Sequence, residues 1–263
     1  MGRVGVSTGA AAVLVCAVFI ASAFSARTEE TGSVASQGRI AFTSDRRGYR
    51  NQVYVMNADG SGQRNLTRSS ESDRSPTWSP DGRRIAFARS TGPGAEVFVM
   101  NADGSRKRNL TRDGEAYDDS PTWSPDGRRI AFKSYDADFR SDDVFVMNAD
   151  GSGKRNLTRN RAQDQFPDWS PDGRKIAFVS RRGVYHDEVY VMNANGSDQR
   201  KLTDGNWPDW SPDGRRIAFG DWRGDNYEVY VMNADGSGQR NLTRNKTDDF
   251  SDDFSPDWSP TPR

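Results

Sequence analysis

The stretch VYVMNADGSGQRNLT, at residues 53–67, decides the fold because it occurs five times along the chain with only small changes. An identical copy begins at Val229, and close variants begin at Val97, Val144 and Val189. Self-similarity of this kind indicates a fold built from one repeated supersecondary unit. We therefore interpret the sequence as a set of repeats rather than a set of unrelated domains.

Two further landmarks recur in fixed order around each copy. The sequence IAF begins at Ile40, Ile85, Ile130, Ile176 and Ile217, and the sequence WSP begins at Trp78, Trp123, Trp169, Trp210 and Trp258. The repeat length of about 45 residues is typical of propellers and solenoids.

Each repeat contains two turn motifs, SPDG and NADG, first seen at residues 79–82 and 57–60. Asp-Gly favours tight hairpins because glycine adopts positive φ freely and aspartate bonds its own backbone. The flanking segments are short and rich in Val, Ile, Tyr and Phe, which predicts four strands: A (PTWS), B (RIAF), C (VYVMN) and D (RNLT). Both alternating faces of VYVM are apolar, so both faces of the sheet must be buried, as in a propeller blade.

The two ends of the repeat region support a closed ring. The region begins at a B strand in residues 38–42 (GRIAF) and ends with an A strand at residues 255–260 (SPDWSP). We therefore predict an all-β propeller of five four-stranded blades, closed when the C-terminal A strand joins the N-terminal B, C and D strands. A linear stack would leave two incomplete units.

The N-terminus has the pattern of a targeting segment. Arg3 precedes an apolar run at residues 10–24, and Ala21-Ser22-Ala23 fits a cleavage motif. We predict a signal peptide at residues 1–26, a polar linker at 27–38 and the propeller at 39–263. Export to the periplasm, the cell envelope or the medium follows, with an uncleaved anchor as the alternative. The only cysteine, Cys16, lies in the signal, so thiol chemistry is excluded from the mature protein.

The loops divide into two sets with different composition. The A–B and C–D turns are nearly constant and rich in arginine, whereas the B–C loops and D–A links vary and are rich in acids. In a propeller these sets lie on opposite faces, here called the constant face and the variable face. Function usually resides in variable loops. The predicted partner-binding residues are Asp118, Asp119, Asp142, Asp143, Asp252 and Asp253.

A second candidate site is the central channel, which A strands line in a propeller. The residues that precede the WSP tryptophans are Thr77, Thr122, Asp168, Asp209 and Asp257. Oxygen ligands of this kind suit Ca²⁺. The alternatives are that water fills the channel, or that each aspartate bonds a neighbouring backbone amide.

A third set of aspartates stands three residues before the A-strand proline. These residues are Asp73, Asp118, Asp164 and Asp253, and the fourth repeat has Gly205 there. We expect them to cap the D–A turn, which is a common role for aspartate.

Catalysis has little support in the sequence. The only histidine, His186, falls in a B–C loop, and no G-x-S-x-G motif is present. We predict a non-catalytic protein. Aromatic residues near the variable face nevertheless leave a glycan-binding or glycoside-hydrolysing propeller as the alternative. These residues are Tyr49, Tyr117, Phe166, Tyr185, Trp207, Trp222 and Phe254, of which Phe166, Trp207 and Phe254 are expected to pack between blades.

The repeat SPTWSPDGRRIAF…VFVMNADGS…LT resembles the blade repeat of TolB-type propellers (PD40, WD40-like), and the resemblance covers residues 39–263. It implies an exported, non-catalytic propeller that works in the bacterial cell envelope. We predict a monomer that binds an envelope or extracellular protein. The chain has five repeats where TolB has six, and it lacks the separate N-terminal domain of TolB. The balance of 37 basic and 37 acidic residues argues against a nucleic-acid partner.

Overall fold

The computed structural model describes residues 38–46, 48, 50–114, 116–136, 141–183, 186–222 and 226–243. Within these residues the chain forms strands and no helix, and the strands assemble into five antiparallel sheets. The protein is a five-bladed β-propeller, as predicted, and each sheet is one blade.

Blade 1 contains β1 (Arg39–Ser44), β2 (Gln52–Asn57) and β3 (Arg64–Asn65). Blade 2 contains β4 (Asp73–Trp78), β5 (Arg84–Ser90), β6 (Ala95–Asn101) and β7 (Arg108–Asn109). Blade 3 contains β8 (Asp119–Trp123), β9 (Arg129–Asp136), β10 (Ser141–Asn148) and β11 (Arg155–Asn156). Blade 4 contains β12 (Asp164–Trp169), β13 (Lys175–Ser180), β14 (Glu188–Asn193) and β15 (Arg200–Asp204). Blade 5 contains β16 (Asn206–Trp210), β17 (Arg216–Trp222), β18 (Tyr227–Asn233) and β19 (Arg240–Asn241).

Blades 2 to 5 have all four strands, in the order A-B-C-D. Blade 1 has its B, C and D strands among the described residues. The A strand predicted to complete it, at residues 255–260, lies outside the described residues. The signal peptide and most of the linker, at residues 1–37, lie outside them as well. No helix in the described part of the chain is long and apolar enough to cross a membrane.

Burial of both sheet faces explains why the apolar run repeats. In blade 2 the B strand pairs with the C strand so that Phe87 faces Phe98. Ile85, Ala86 and Phe87 have no exposed surface although they alternate between faces. One face packs against blade 1, where Val53 and Leu66 join the same cluster. A blade alone would therefore expose side chains whose burial contributes about 1.5–3 kcal/mol each.

The A strands are innermost. Neighbouring A strands contact one another around the ring, while the D strands lie at the outer edge. The D strands are shorter than the predicted RNLT, with only two residues in four of the five blades. The backbone pairing continues one residue further, since the Leu66 amide donates to the Val53 carbonyl at 2.9 Å.

The constant face consists of turns that satisfy their own polar groups. In the A–B turn of blade 3, Ser124 Oγ donates to Asp126 Oδ1 at 2.6 Å and accepts from the Arg129 amide at 2.9 Å. In the C–D turn, the Ser152 amide donates to Asp150 Oδ1 at 2.9 Å. The turn role predicted for these aspartates is thus observed.

Candidate functional site on the variable face

Every described A strand is irregular where it approaches the variable face. Its pairing with the B strand shifts register, between Arg74 and Thr77 in blade 2 for example. The bulged residue has positive φ, and the four such residues are Ser75, Ser120, Phe166 and Trp207, with φ of 52°, 52°, 51° and 48°. The left-handed conformation costs about 1–2 kcal/mol per residue. Bulges of this kind change the direction of side chains near functional sites.

Beside each bulge in blades 2 to 4 lies an aspartate with no exposed surface, paired with a cation. The pairs are Asp73–Arg89, Asp118–Lys154 and Asp164–Arg182, with nitrogen–oxygen distances of 2.6, 3.5 and 3.2 Å. The sequence favoured turn capping for these aspartates, but the structure shows buried ion pairs. A buried carboxylate is stable only when a partner compensates its lost hydration.

The cation of each pair also lies over two aromatic rings. The Arg89 guanidinium is 5.5 Å from the ring centroid of Phe87 and 4.9 Å from that of Phe98. Lys154 and Arg182 occupy equivalent places in blades 3 and 4. The three cations come from different elements: Arg89 from β5, Lys154 from a C–D turn and Arg182 from the segment after β13. The buried ion pair over two aromatic rings thus recurs in three blades, although the cation comes from a different position of the repeat in each.

The predicted partner-binding aspartates fall into three groups. Asp118 and Asp143 have no exposed surface, so their carboxylates do not offer a direct contact to a partner. Burial raises the pKa of Asp118 to about 6, although Lys154 opposes the shift. Burial also raises the pKa of Asp143, which accepts hydrogen bonds from Thr158 and Asn156. Asp252 and Asp253 lie outside the described residues.

Asp119 and Asp142 are partly exposed, and both are paired. Asp119 binds Arg74 at 2.8 Å, and Asp142 lies 3.5 Å from Lys133. Gln165 Nε2 of blade 4 donates to Asp142 at 2.6 Å, which links two blades. The face predicted to be acidic therefore carries local ion pairs at these two positions.

Exposed aromatic side chains also mark the variable face. Tyr117, Tyr135 and Trp222 are 41%, 42% and 52% exposed, and all three belong to this face. Among the described residues, Leu242 is the one other large hydrophobic side chain with comparable exposure. Arg74 and Lys133 each lie 5.0 Å from the centroid of the Tyr117 ring, on which they can stack.

Blade 5 departs from the pattern of blades 2 to 4. Gly205 replaces the buried aspartate, and a Cβ there would meet the Phe219 ring at 2.7 Å. Asp221 stands two residues after Phe219, where blade 2 has Arg89 after Phe87. A pocket of about 610 Å³ opens at this place between blades 4 and 5, here called the blade 4–5 pocket. It is lined by Arg181, Gly183, His186, Asp187, Gly205, Asn206, Asp221, Trp222 and Tyr227.

The polar groups of this pocket are fixed by one another. Arg181 Nε donates to Asp187 Oδ1 at 2.5 Å, and this hydrogen bond raises the pKa of Arg181. Asn206 Nδ2 donates to the other oxygen of Asp187. Asn206 Oδ1 is buried and accepts no hydrogen bond from the described residues. Such an acceptor costs about 1–3 kcal/mol unless a ligand or water satisfies it.

Sequence reasoning singled out Trp222 and His186 but missed Arg181, Asp187 and Asn206. The signal for this site in the sequence is the break in the aspartate pattern at Gly205. His186 is exposed at the rim of the pocket. Phe166 and Trp207 lie with ring centroids 6.5 Å apart, in the packing role expected for them.

The predicted channel residues lie on the innermost strands. Thr77, Thr122, Asp168 and Asp209 are all half-buried, and Asp257 lies outside the described residues. The Trp210 amide of the next blade donates to Asp168 Oδ2 at 3.0 Å. This is the backbone-amide alternative to metal binding. The described residues contain no group of three or more metal-ligating side chains, so calcium in the channel stays an untested prediction.

Comparisons with known proteins agree with this architecture. TolB from Acinetobacter baumannii superposes with a TM-score of 0.71 at 22% identity, covering 85% of this chain and 55% of that one. The putative TolB from Agrobacterium tumefaciens gives 0.66 at 21% identity, covering 77% of this chain and 76% of that one. An oligogalacturonate lyase in complex with manganese gives 0.63 at 12% identity, covering 78% and 62%. At these identities the likeness shows the fold alone.

This chain therefore spans little more than half the length of the Acinetobacter protein. No curated protein matches the sequence. The model of the TolB beta propeller domain (PD40) matches residues 24–140 and 116–207, which is more than half of the chain. The chain belongs to the TolB β-propeller family.

Proposed function

We propose that the protein is a non-catalytic binding propeller of the bacterial cell envelope, which holds a protein partner on its variable face. The observation that carries this proposal is the exposure of Tyr117, Tyr135 and Trp222 on that one face. Tyrosine, tryptophan and arginine are the residues that most often dominate the energy of protein interfaces.

The charges around these aromatics suit a recognition surface. Asp119 and Asp142 are partly exposed beside Arg74 and Lys133. Paired charges at the edge of an interface contribute more to specificity and to the association rate than to affinity. We therefore place Asp119 and Asp142 at the rim of the contact, and the exposed tyrosines in its centre.

The constant face is the weaker candidate for the contact. Its turn aspartates are already committed to the serines of the same turns, as Asp126 and Asp150 show. The same turns recur in each blade, so a partner would meet nearly equivalent surfaces around the ring. Solubility alone is enough to explain the exposed arginines of this face.

Membership of the TolB family supports a protein-binding role and an exported protein. The predicted signal peptide at residues 1–26 supports export independently of the fold. We propose an envelope or extracellular protein as the partner, and a monomer as the working state.

Affinity capture from an envelope extract of the producing cell tests the proposal. The full chain is compared with a Tyr117→Ala/Tyr135→Ala variant and with a matched control, Arg83→Ala/Arg128→Ala, at exposed positions of the constant face. We expect one protein to be held by the full chain and the control, and to be lost from the tyrosine variant. Retention by the tyrosine variant, or loss from the control alone, would contradict the choice of face.

A further inference from the structure

We propose that the blade 4–5 pocket is a carbohydrate subsite that takes a neutral sugar residue of a glycan. The site shares Trp222 with the surface proposed above but uses neither Tyr117 nor Tyr135, so it does not depend on the partner-binding role. Its volume of about 610 Å³ falls within the range of about 300–1,000 Å³ typical of ligand sites.

Asn206 supplies the most specific feature of this site. The residue is 6% exposed, and its Oδ1 atom is buried without a hydrogen-bond partner among the described residues. Its Nδ2 atom is held by Asp187, so the amide cannot turn to present its nitrogen instead. Asn206 thus contributes to the pocket wall a fixed, buried neutral acceptor that requires a donor, and a sugar hydroxyl that reaches it is such a donor.

Trp222 supplies an apolar surface at the same pocket. It is 52% exposed, and its ring lies edge-on to Tyr227 with a centroid distance of 5.2 Å and an interplanar angle of 82°. Tyr227 in turn contacts Trp207, whose ring centroid is 5.7 Å away. An indole supported from one side in this way offers its free surface to the apolar C–H face of a sugar ring.

The charges disfavour an anionic ligand, because the pocket is lined by two carboxylates and one guanidinium. Arg181 and Asp187 are bonded to each other, so neither is free to pair with a ligand of opposite charge. A cationic ligand would meet Arg181, and an anionic ligand would meet Asp187 and Asp221. A hydroxylated ring can donate to Asn206 and accept from His186 without bringing a net charge into the pocket.

Binding of the full chain to an array of oligosaccharides tests the proposal. The array carries neutral glucose, galactose, mannose and N-acetylglucosamine oligomers, with a galacturonate oligomer and a lysine-rich peptide as charged comparisons. We expect binding to at least one neutral glycan and to neither charged probe. Failure to bind any neutral glycan, or binding confined to the charged probes, overturns the proposal.

Variants place the binding in this pocket. Trp222→Ala and Asn206→Ala should each weaken binding of the selected glycan by roughly tenfold or more, since each removes a main contact. Arg83→Ala is the control, because this residue is exposed on the constant face and lies outside the pocket. Trp222 is half exposed, so its replacement tests the site even if Asn206→Ala does not fold. Unchanged binding by Trp222→Ala would assign the glycan to another site.

Discussion

At the scale of single residues, three buried aspartates lie at or just before the start of the A strands of blades 2 to 4. Asp73, Asp118 and Asp164 each hold a carboxylate with no exposed surface beside the variable face. The compensation differs between blades: Arg89 binds Asp73 with two hydrogen bonds, whereas Lys154 approaches Asp118 only to 3.5 Å. Replacement of these residues should therefore give different results in different blades.

Asp118→Asn should change how stability depends on pH. Burial raises the pKa of Asp118 from 3.8 to about 6, so the folded state binds this proton more tightly than the unfolded chain does. The stability that protonated Asp118 contributes to the folded state is thus fully present below pH 4 and is lost as the pH rises to about 6. Relative to the natural chain, Asp118→Asn should gain up to about 3 kcal/mol between pH 4 and pH 7, measured by urea unfolding at both values.

Asp126→Asn is the matched control, because the pKa of Asp126 shifts in the opposite direction. The hydrogen bond from Ser124 lowers the pKa of Asp126 on folding. The stabilising contribution of this carboxylate is present above its ordinary pKa and is lost as the pH falls. Asp126→Asn should therefore show almost no change relative to the natural chain between pH 4 and pH 7, because the contribution of this carboxylate is lost only as the pH falls below its ordinary pKa of 3.8. The same trend in both variants would contradict the assignment of Asp118.

Asp73→Ala should lower the free energy of unfolding by about 3–5 kcal/mol, because it leaves Arg89 without its buried partner. Glu71→Ala is the comparison two residues away. The Arg50–Glu71 pair has side chains 60% and 44% exposed, so its loss should cost less than about 1 kcal/mol. Denaturant unfolding of the two variants measures the difference, and equal losses would mean that burial does not determine the strength of the pair.

At the scale of the structural element, the C–D turns of blades 2 to 5 each contact the blade before them. Gly151 has φ of 87°, and a Cβ at this position would meet the Leu110 carbonyl oxygen of blade 2 at 2.7 Å. The equivalent Gly60 in blade 1 has φ of 82° with no atom within 4 Å of such a Cβ. Glycine is thus required at position 151 for two reasons: the backbone has positive φ, and the neighbouring blade leaves no room for a Cβ.

Gly60→Ala should lower stability by about 1 kcal/mol through backbone conformation alone. Gly151→Ala should lower it by about 1–3 kcal/mol more, because the added methyl group forces the two blades apart. Thermal unfolding of both variants gives the comparison. Equal melting temperatures would show that the turn does not set the spacing between blades.

The repeated sequence pattern predicts the strands and their turns well. It does not predict the bulges, the ion pairs or the pocket between blades. The apolar B and C strands and the Asp-Gly turns follow from local sequence, and the structure confirms them. The A-strand bulges do not follow from it, since serine and phenylalanine both occupy the positive-φ position, at Ser120 and Phe166. The ion pairs were also missed, because Arg89 and Lys154 reach equivalent places from different elements. The blade 4–5 pocket depends on contacts across two blades that no single repeat encodes.

At the scale of the whole molecule, packing between blades is the main source of stability, because consecutive blades from blade 1 to blade 5 bury their apolar faces against one another. Blade 1 has three described strands, and the sequence predicts its fourth at residues 255–260, outside the described residues. Removal of residues 255–263 should therefore lower the melting temperature by several degrees, by roughly 5 °C for a loss of 1–2 kcal/mol. Removal of residues 261–263 alone should have little effect. Equal melting temperatures for the two truncations would contradict closure by the C-terminal strand.

The central claim, that one face of this ring binds a protein partner, can be tested by photo-crosslinking in the producing cell. A photoreactive residue is placed either at Tyr135, on the variable face, or at Arg83, on the constant face, and the adducts are compared after irradiation. We predict a discrete protein adduct from position 135 and none from position 83. An adduct from position 83 alone, or no adduct from position 135, would contradict the proposed binding face.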